Sequence, residues 1–76
     1  MKAYILIKIR PGAVREVVRN LVRLDPVREA HMTFGQYDAI AVVEAEDLSR
    51  LGSLISVEIQ PIPGVLETIT CLAVEI

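Results

Sequence analysis

Two side chains suited to metal binding or catalysis occur once each in this 76-residue chain, and their scarcity limits its chemistry. Cys71 is the only cysteine, which rules out an internal disulfide and a thiolate metal cluster. His31 is the only histidine, which removes metal sites built from several histidines. No metal or other cofactor is therefore expected. Cys71, placed between Thr70 and Leu72, is interpreted as a small buried hydrophobe and not as a reactive thiol.

The charged residues give no sign of a nucleic-acid surface. Net charge is −2, with acids and bases interspersed, whereas nucleic-acid binders usually carry a basic stripe. Arg15, Arg19 and Arg23 recur every four residues on a predicted helix, which is typical of a solvated helix face. The apolar runs are far shorter than the ~20 residues of a membrane span, and no secretory signal is seen. The sequence predicts a cytoplasmic protein that neither enters a membrane nor binds DNA directly.

The first half of the chain predicts a strand and then a helix. Residues 3–9 are rich in β-branched side chains and stop at Pro11-Gly12, as a strand does. Aliphatic residues then recur with helical spacing, at Val14, Val17, Val18, Leu21 and Val22. This helix is expected to end at Asp25-Pro26, because the residue before proline avoids the α region.

The middle of the chain predicts a β-hairpin. Residues 27–34 alternate and form the second strand, with Ala30, Met32 and Phe34 on one face and Val27, Glu29, His31 and Thr33 on the other. The segment Gly35-Gln36-Tyr37-Asp38 is typical of a turn. Residues 39–45 follow at once as a third strand, which is apolar on both faces like the first.

A second helix and a last strand complete the predicted fold. Asp47 is a candidate N-cap for a helix with apolar positions at Leu48, Leu51, Leu54, Ile55 and Ile59. Gly52 weakens that helix by about 1 kcal/mol relative to alanine. Residues 65–76 form the last strand. The order β-α-β-β-α-β predicts one α+β domain over residues 1–76: a ferredoxin-like sandwich, with both helices on one face of a four-stranded antiparallel sheet.

The uncovered face of this sheet predicts assembly. A domain this small buries only about 60% of its unfolded surface, and without disulfides or metals oligomerisation is the remaining source of stability. Hydrophobic residues make up 53% of the chain. Tyr4 and Leu6 lie opposite the isoleucine face of the first strand, and both faces of the last strand carry aliphatic residues. A patch of this kind usually marks an interface, so we expect dimerisation through the sheet.

Three motifs in fixed order also resemble a known family. The chain contains FGQYDAIAVVEA, then DLSRLGSLI, then IPGVLETITCLAV. The effector-binding domain of the Lrp/AsnC transcription regulators, also called the RAM domain, has the same succession of a G-x-Y-D turn, strand, helix, I-P-G-V and a T-x-T strand. The resemblance covers essentially the whole chain. The family's regulators carry an additional helix-turn-helix domain, so this chain is expected to correspond to the stand-alone form of the effector-binding domain.

The resemblance implies an assembled protein that binds an amino-acid effector. Domains of the family form dimeric α/β barrels through their sheets, and dimers join into octameric or decameric rings. Hetero-assembly with a full-length Lrp/AsnC regulator is also implied. Effectors bind where dimers meet, which implicates as ligand-binding positions Gly35, Gln36, Tyr37, Asp38, Thr68 and Thr70.

The residue types at these positions suit an α-amino acid. Asp38 would accept hydrogen bonds from the ammonium, and N–H groups of the turn would face the carboxylate. The threonine hydroxyls would add donors, and an apolar wall from a neighbouring subunit would favour aliphatic effectors.

Other interpretations of the same residues stay open. Gly35 suits the backbone of a turn, Asp38 suits capping of that turn, Tyr37 suits interface packing, and the threonines are common in strands. Ferredoxin-like dimers also include cofactor-independent oxygenases with a lone histidine. A lone histidine proposed as a general base, without an evident catalytic partner, is thin evidence, so an enzyme is not expected. A third alternative is a pure interaction module without a ligand.

Overall fold

The computed structural model describes residues 1–75 and contains the predicted β-α-β-β-α-β order. The elements are β1 (Lys2–Ile9), α1 (Val14–Leu21), β2 (Val27–Met32), β3 (Ala39–Glu44), α2 (Leu48–Ser53, continued as a π-helix over Leu54–Ile59) and β4 (Val65–Leu72). All neighbouring strands are antiparallel, in the order β2-β3-β1-β4. The ferredoxin-like fold is therefore confirmed. In this part of the chain no helix is both long and apolar enough to span a bilayer.

The core lies between the helices and one face of the sheet, which we call the inner face. Every second residue of β1 points into it, as the alternation predicts, and β3 adds its own small and β-branched residues. The largest fully buried side chains are Ile5, Ile7, Leu21, Ile59, Val17 and Val43. Burying aliphatic side chains at about 25 cal/mol per Å² is the main source of stability for such a domain.

Helix α1 is shorter than predicted. It ends at Leu21, and the expected end at Asp25-Pro26 is wrong. The backbone N–H of Leu24 bonds to the carbonyl of Leu21 at 3.1 Å, a tighter i to i+3 turn. Val22 is half exposed (55%), whereas Leu24 packs against the core.

Two bulges change which residues share a face. In β2 the register shifts between Val27 and Glu29, so that Val27 pairs with Val43 and is buried on the inner face. Strict alternation had placed Val27 on the other face. In β4 the shift lies between the partners of Lys8 and Ile9, which makes Leu66 the extra residue. A bulge sets two residues against one and so inverts the alternation beyond it.

Strands β2 and β4 both end earlier than predicted. β2 stops at Met32, and Phe34 is fully exposed beyond it. β4 stops at Leu72, which pairs with Ala3 of β1. Ile76, the last residue of the predicted strand, lies outside the described residues.

The second helix begins as predicted and then widens. The carboxylate of Asp47 accepts a hydrogen bond from the N–H of Arg50 at 2.8 Å, which confirms the N-cap. From Leu54 to Ile59 the segment is a π-helix, and both of these residues are buried. Their five-residue spacing matches the i to i+5 repeat of that helix, which turns both towards the sheet.

Gly64, before β4, is required by close packing. Its φ is +102°, and an added Cβ would lie 2.7 Å from the Cβ of Ala13. The Gly64 carbonyl accepts a 2.8 Å hydrogen bond from the N–H of Arg10, so the start of β4 is fixed against the end of β1.

Candidate functional site

The hairpin turn between β2 and β3 holds four of the six predicted ligand-binding residues. Gly35 has φ +138°, in the region that favours glycine, so its structural role in the turn is supported. The Thr33 hydroxyl donates to the Tyr37 carbonyl at 2.8 Å, and the Thr33 N–H donates to the Asp38 carbonyl at 3.0 Å. These two bonds close the loop. The predicted turn is confirmed, and it is well defined.

Asp38 joins the turn to the neighbouring strand. Its Oδ2 accepts a hydrogen bond from the backbone N–H of Ile9 at 2.8 Å, in a partly buried position. Its own N–H donates to the carbonyl of Ile7 at 2.9 Å. Asp38 thus caps the end of β1, where sequence reasoning had it capping its own turn. A carboxylate has about four acceptor positions, so this bond leaves capacity for an ammonium group.

The turn also presents donors to solvent. Within residues 1–75, the N–H groups of Gly35, Gln36 and Tyr37 have no acceptor from the protein. Gly35 and Gln36 are exposed, and Tyr37 is half-buried. Successive N–H groups of this kind can form a concavity for an anion. The arrangement fits the predicted contact with an effector carboxylate.

Lys8 is a residue of this region that sequence reasoning missed. Its ammonium donates to the Gln36 carbonyl at 2.8 Å, from 28 positions earlier in the chain. One signal was available: Lys8 is the only charged residue among positions 3–9. Lys8 lies on the same face of β1 as Leu6, where its charge interrupts an apolar strand.

An apolar hollow opens beside the turn. It has a volume of about 220 Å³ and is lined by Met32, Thr33 and Phe34. Phe34 is fully exposed and Met32 is half exposed, which is unusual for residues of their size. Pockets for drug-sized ligands begin at about 300 Å³, so this hollow suits a smaller molecule or one side chain.

The two predicted threonines lie apart from the turn. Thr68 pairs with Ile7 from β4, whereas Ala39 pairs with Ile7 from β3 on the other side. One strand therefore separates Thr68 from the turn, a distance of about 10 Å at the usual strand spacing. The Thr68 hydroxyl accepts a 3.0 Å hydrogen bond from the Gln60 amide, and Thr70 is exposed. A single chain does not bring them to the turn.

The second face of the sheet, which we call the outer face, is apolar at its centre. It carries Tyr4, Leu6, Ile40, Val42, Ile69 and Cys71, which the strand register places side by side. All six are partly or fully exposed. Cys71 is exposed in the single chain, so its prediction as a buried residue is wrong for this chain alone. The uncovered apolar face predicted from the sequence is present.

His31 lies at the rim of the outer face. Its Nε2 lies 3.1 Å from a carboxylate oxygen of Glu29, and both side chains are more than 60% exposed. An exposed pair of this kind has no enclosed cleft in which to hold a substrate. On α1, Arg19 pairs with Glu16 at 2.6 Å, which fits the interpretation of the arginines as a solvated face.

A larger hollow lies at the opposite end of the sheet. It measures about 290 Å³, and its lining includes Glu44, Glu46 and Arg50. The Glu46 carboxylate lies 3.8 Å from the Arg50 guanidinium, and Glu44 lies 3.8 Å from Arg28. Two of its three carboxylates already lie beside arginines, so it is a weaker candidate than the turn.

Comparison with known proteins gives consistent matches. The model of the Lrp/AsnC ligand binding domain family matches residues 2–76. The HTH-type transcriptional regulator FL11 of Pyrococcus abyssi is 36% identical over 75 residues, which is 99% of this chain and 49% of that protein. The chain spans about half the length of the curated relatives it matches.

Solved structures agree in fold. FFRP-DM1 superposes with a TM-score of 0.92 at 34% identity, over 96% of this chain and 97% of that one. A transcriptional regulator from Neisseria meningitidis, crystallised as an L-Met complex, superposes with a TM-score of 0.88 at 16% identity, over 97% of this chain and 49% of that one. The second likeness shows the shared fold alone.

Proposed function

The chain belongs to the Lrp/AsnC ligand-binding domain family, and on that premise we propose that it binds a small α-amino acid at the β2–β3 turn and assembles through its outer face. The family is regulatory, and the relatives are named as transcriptional regulators. This agrees with the prediction that the chain is not an enzyme. The ligand and the assembly are the parts that require a test.

The observation that carries the ligand proposal is the pairing of charge and donors at one turn. Asp38 supplies an anion whose position is fixed by its bond to Ile9. Gly35 and Gln36 are exposed, and their N–H groups have no protein acceptor in the described chain. An α-amino acid has one cation and one anion on adjacent carbons, and the turn offers a partner for each.

The hollow beside the turn favours an apolar effector side chain. Met32 and Phe34 line it and leave apolar surface open to water. Covering such surface gains about 25 cal/mol per Å². A regulator of the same fold was crystallised with L-Met, so L-methionine and the branched aliphatic amino acids are the first ligands to test.

The outer face supports the assembly proposal. Tyr4 and Ile69 are 38% and 40% exposed, and they sit at the centre of an apolar surface without polar alternation. Antiparallel sheets that face water normally alternate apolar and polar residues. We propose that two chains cover this face in a dimer, and that dimers join into an octameric or decameric ring that completes the effector site.

The regulatory output is proposed to run through hetero-assembly with a full-length Lrp/AsnC regulator. The relatives are about twice as long as this chain, and they are named HTH-type regulators. The net charge of −2 gives this chain no overall electrostatic attraction to DNA phosphates. Mixed rings would give it influence on transcription without direct DNA contact.

Thermal denaturation with each of the twenty amino acids tests the ligand proposal. A ligand that binds only the folded state stabilises it by mass action, by about 2.7 kcal/mol at a hundredfold excess over Kd. We expect at least one apolar amino acid to raise the melting temperature. If none does, while sedimentation still shows an assembled protein, the chain is an interaction module and the ligand proposal is wrong.

Sedimentation velocity over a range of concentrations tests the assembly. We expect a dimer or larger ring at micromolar concentration. A folded monomer at that concentration would contradict the proposed role of the outer face, and amino-acid binding would then have to occur on one chain alone.

A further inference from the structure

We propose that Lys8 is the residue that recognises the effector's carboxylate, an inference that rests on the proposed amino-acid function and deepens it. Lys8 is on β1, outside the motifs that resemble the family, and its ammonium donates to the Gln36 carbonyl at 2.8 Å. This contact holds a positive charge on the rim of the turn. An ammonium has three donors, so two remain after the bond to Gln36.

The strand register places this cation and Asp38 at the same end of the β1–β3 ladder. The ladder ends at the pair of Ile7 with Ala39, and one residue of each chain segment follows immediately beyond that pair. Those two residues are Lys8 and Asp38. One end of the ladder therefore carries one cation and one anion, each held by a hydrogen bond. These two charges are complementary to the carboxylate and the ammonium of an amino-acid zwitterion.

In the described part of the chain, Lys8 forms no ion pair with a carboxylate of the protein. Its β4 partner is Glu67, yet within residues 1–75 the ion pairs with N to O distances up to 4.0 Å do not include Lys8. The N–H groups of Gly35 and Gln36 lie on the same turn. A carboxylate placed there receives backbone donors and a charge-assisted bond from Lys8, which is stronger than a neutral one.

The same strand provides a matched control. Lys2 is the only other lysine in the sequence, and an even spacing of six residues places it on the same face of β1 as Lys8. Its ammonium lies 5.4 Å from the centre of the Tyr4 ring, at the other end of the strand. Removing either lysine changes the net charge equally, but only Lys8 contacts the turn.

The test compares an amino acid with its carboxamide, which keeps the ammonium and side chain but loses the negative charge. The probe pair is the L-amino acid that binds best in the thermal screen and its α-amide, titrated by calorimetry. We expect the wild-type chain to prefer the acid by about tenfold or more. That preference should fall about tenfold in Lys8→Met and in Lys8→Gln, and stay within about twofold in Lys2→Met.

The results distinguish recognition of the carboxylate by Lys8 from a purely structural role of Lys8 in the turn. If Lys8→Met and Lys8→Gln weaken the acid and the amide equally, Lys8 only braces the turn and the inference is overturned. Unchanged preference in both variants also overturns it. If the wild-type chain binds no amino acid at all, the proposed function itself fails, which the wild-type titration reveals before any variant is made. Circular dichroism of each variant verifies the fold.

Discussion

Replacing Asp38 by asparagine and by alanine should separate its two roles, the bond to β1 and the charge offered to an effector. The Asp38 carboxylate accepts the Ile9 N–H at 2.8 Å in a partly buried position. Asparagine keeps a carbonyl oxygen that can accept this bond but removes the charge. Alanine removes both. The two variants should therefore differ in stability and agree in ligand binding.

The expected magnitudes follow from the geometry of that bond. A hydrogen bond to a charged group contributes about 1.5–3 kcal/mol, and the lower end applies because the site is only partly buried. Asp38→Ala should lower the free energy of unfolding by about 1.5 kcal/mol, or about 6–12 °C in melting temperature for a domain of this size. Asp38→Asn should lose about half of that.

The ligand effect should be the same in both variants. Loss of the charge-assisted contact with the effector's ammonium should weaken binding by about tenfold or more. The upward shift of melting temperature caused by a saturating amino acid in the wild-type chain should then be largely lost. Asp25→Asn removes one negative charge from the turn before β2 and should preserve the shift.

Differential scanning calorimetry at one fixed protein concentration measures both effects. The concentration must be fixed because assembly makes the melting temperature depend on it. Equal destabilisation by alanine and asparagine would show that the bond to Ile9 is not what Asp38 contributes to stability. A full ligand shift in Asp38→Asn would refute the placement of the effector's ammonium at this carboxylate.

Three further predictions concern the fold and the assembly. Gly64→Ala should lower the free energy of unfolding by about 2–4 kcal/mol in chemical denaturation, because the added methyl group clashes with Ala13 before α1 and φ is positive. As a control, Gly52→Ala adds a methyl group in open space and should raise the free energy of unfolding by about 0.5–1 kcal/mol. Ile69→Lys should weaken dimerisation by about 2–5 kcal/mol in sedimentation equilibrium. Val57 is exposed on the helical side of the domain, so Val57→Lys should leave the dimer intact. Dissociation of both variants would indicate misfolding. Asp47→Ala should cost about 1 kcal/mol of stability through loss of the N-cap, and no change in denaturation midpoint would mean the cap frays in solution.

The order of elements was predictable because each depends on local patterns. Alternation marks β1 and β3, and a proline or glycine follows most elements. The errors fall where tertiary contacts decide the local shape. The bulges at Arg28 and Leu66 depend on the partner strand, and the π-helix arises because Leu54 and Ile59 must both reach the sheet. Such features have no signal in a window of a few residues.

The candidate site was predictable only in its local half. The turn from Gly35 to Asp38 is continuous in sequence, and its position follows from the hairpin. Its connections to β1 join residues 28 and 29 positions apart, through Lys8 and Ile9. These contacts exist because β3 pairs with β1 across the sheet, a non-local ladder that periodicity does not reveal. The same ladder explains why Asp38 is expected to affect stability: its carboxylate accepts the Ile9 N–H just beyond the last β1–β3 pair. Any ligand bound there acts on the end of β1, the strand whose other residues form the centre of the outer face. Effector binding and assembly should accordingly be linked, with the effector tightening the oligomer by the same factor by which assembly tightens effector binding.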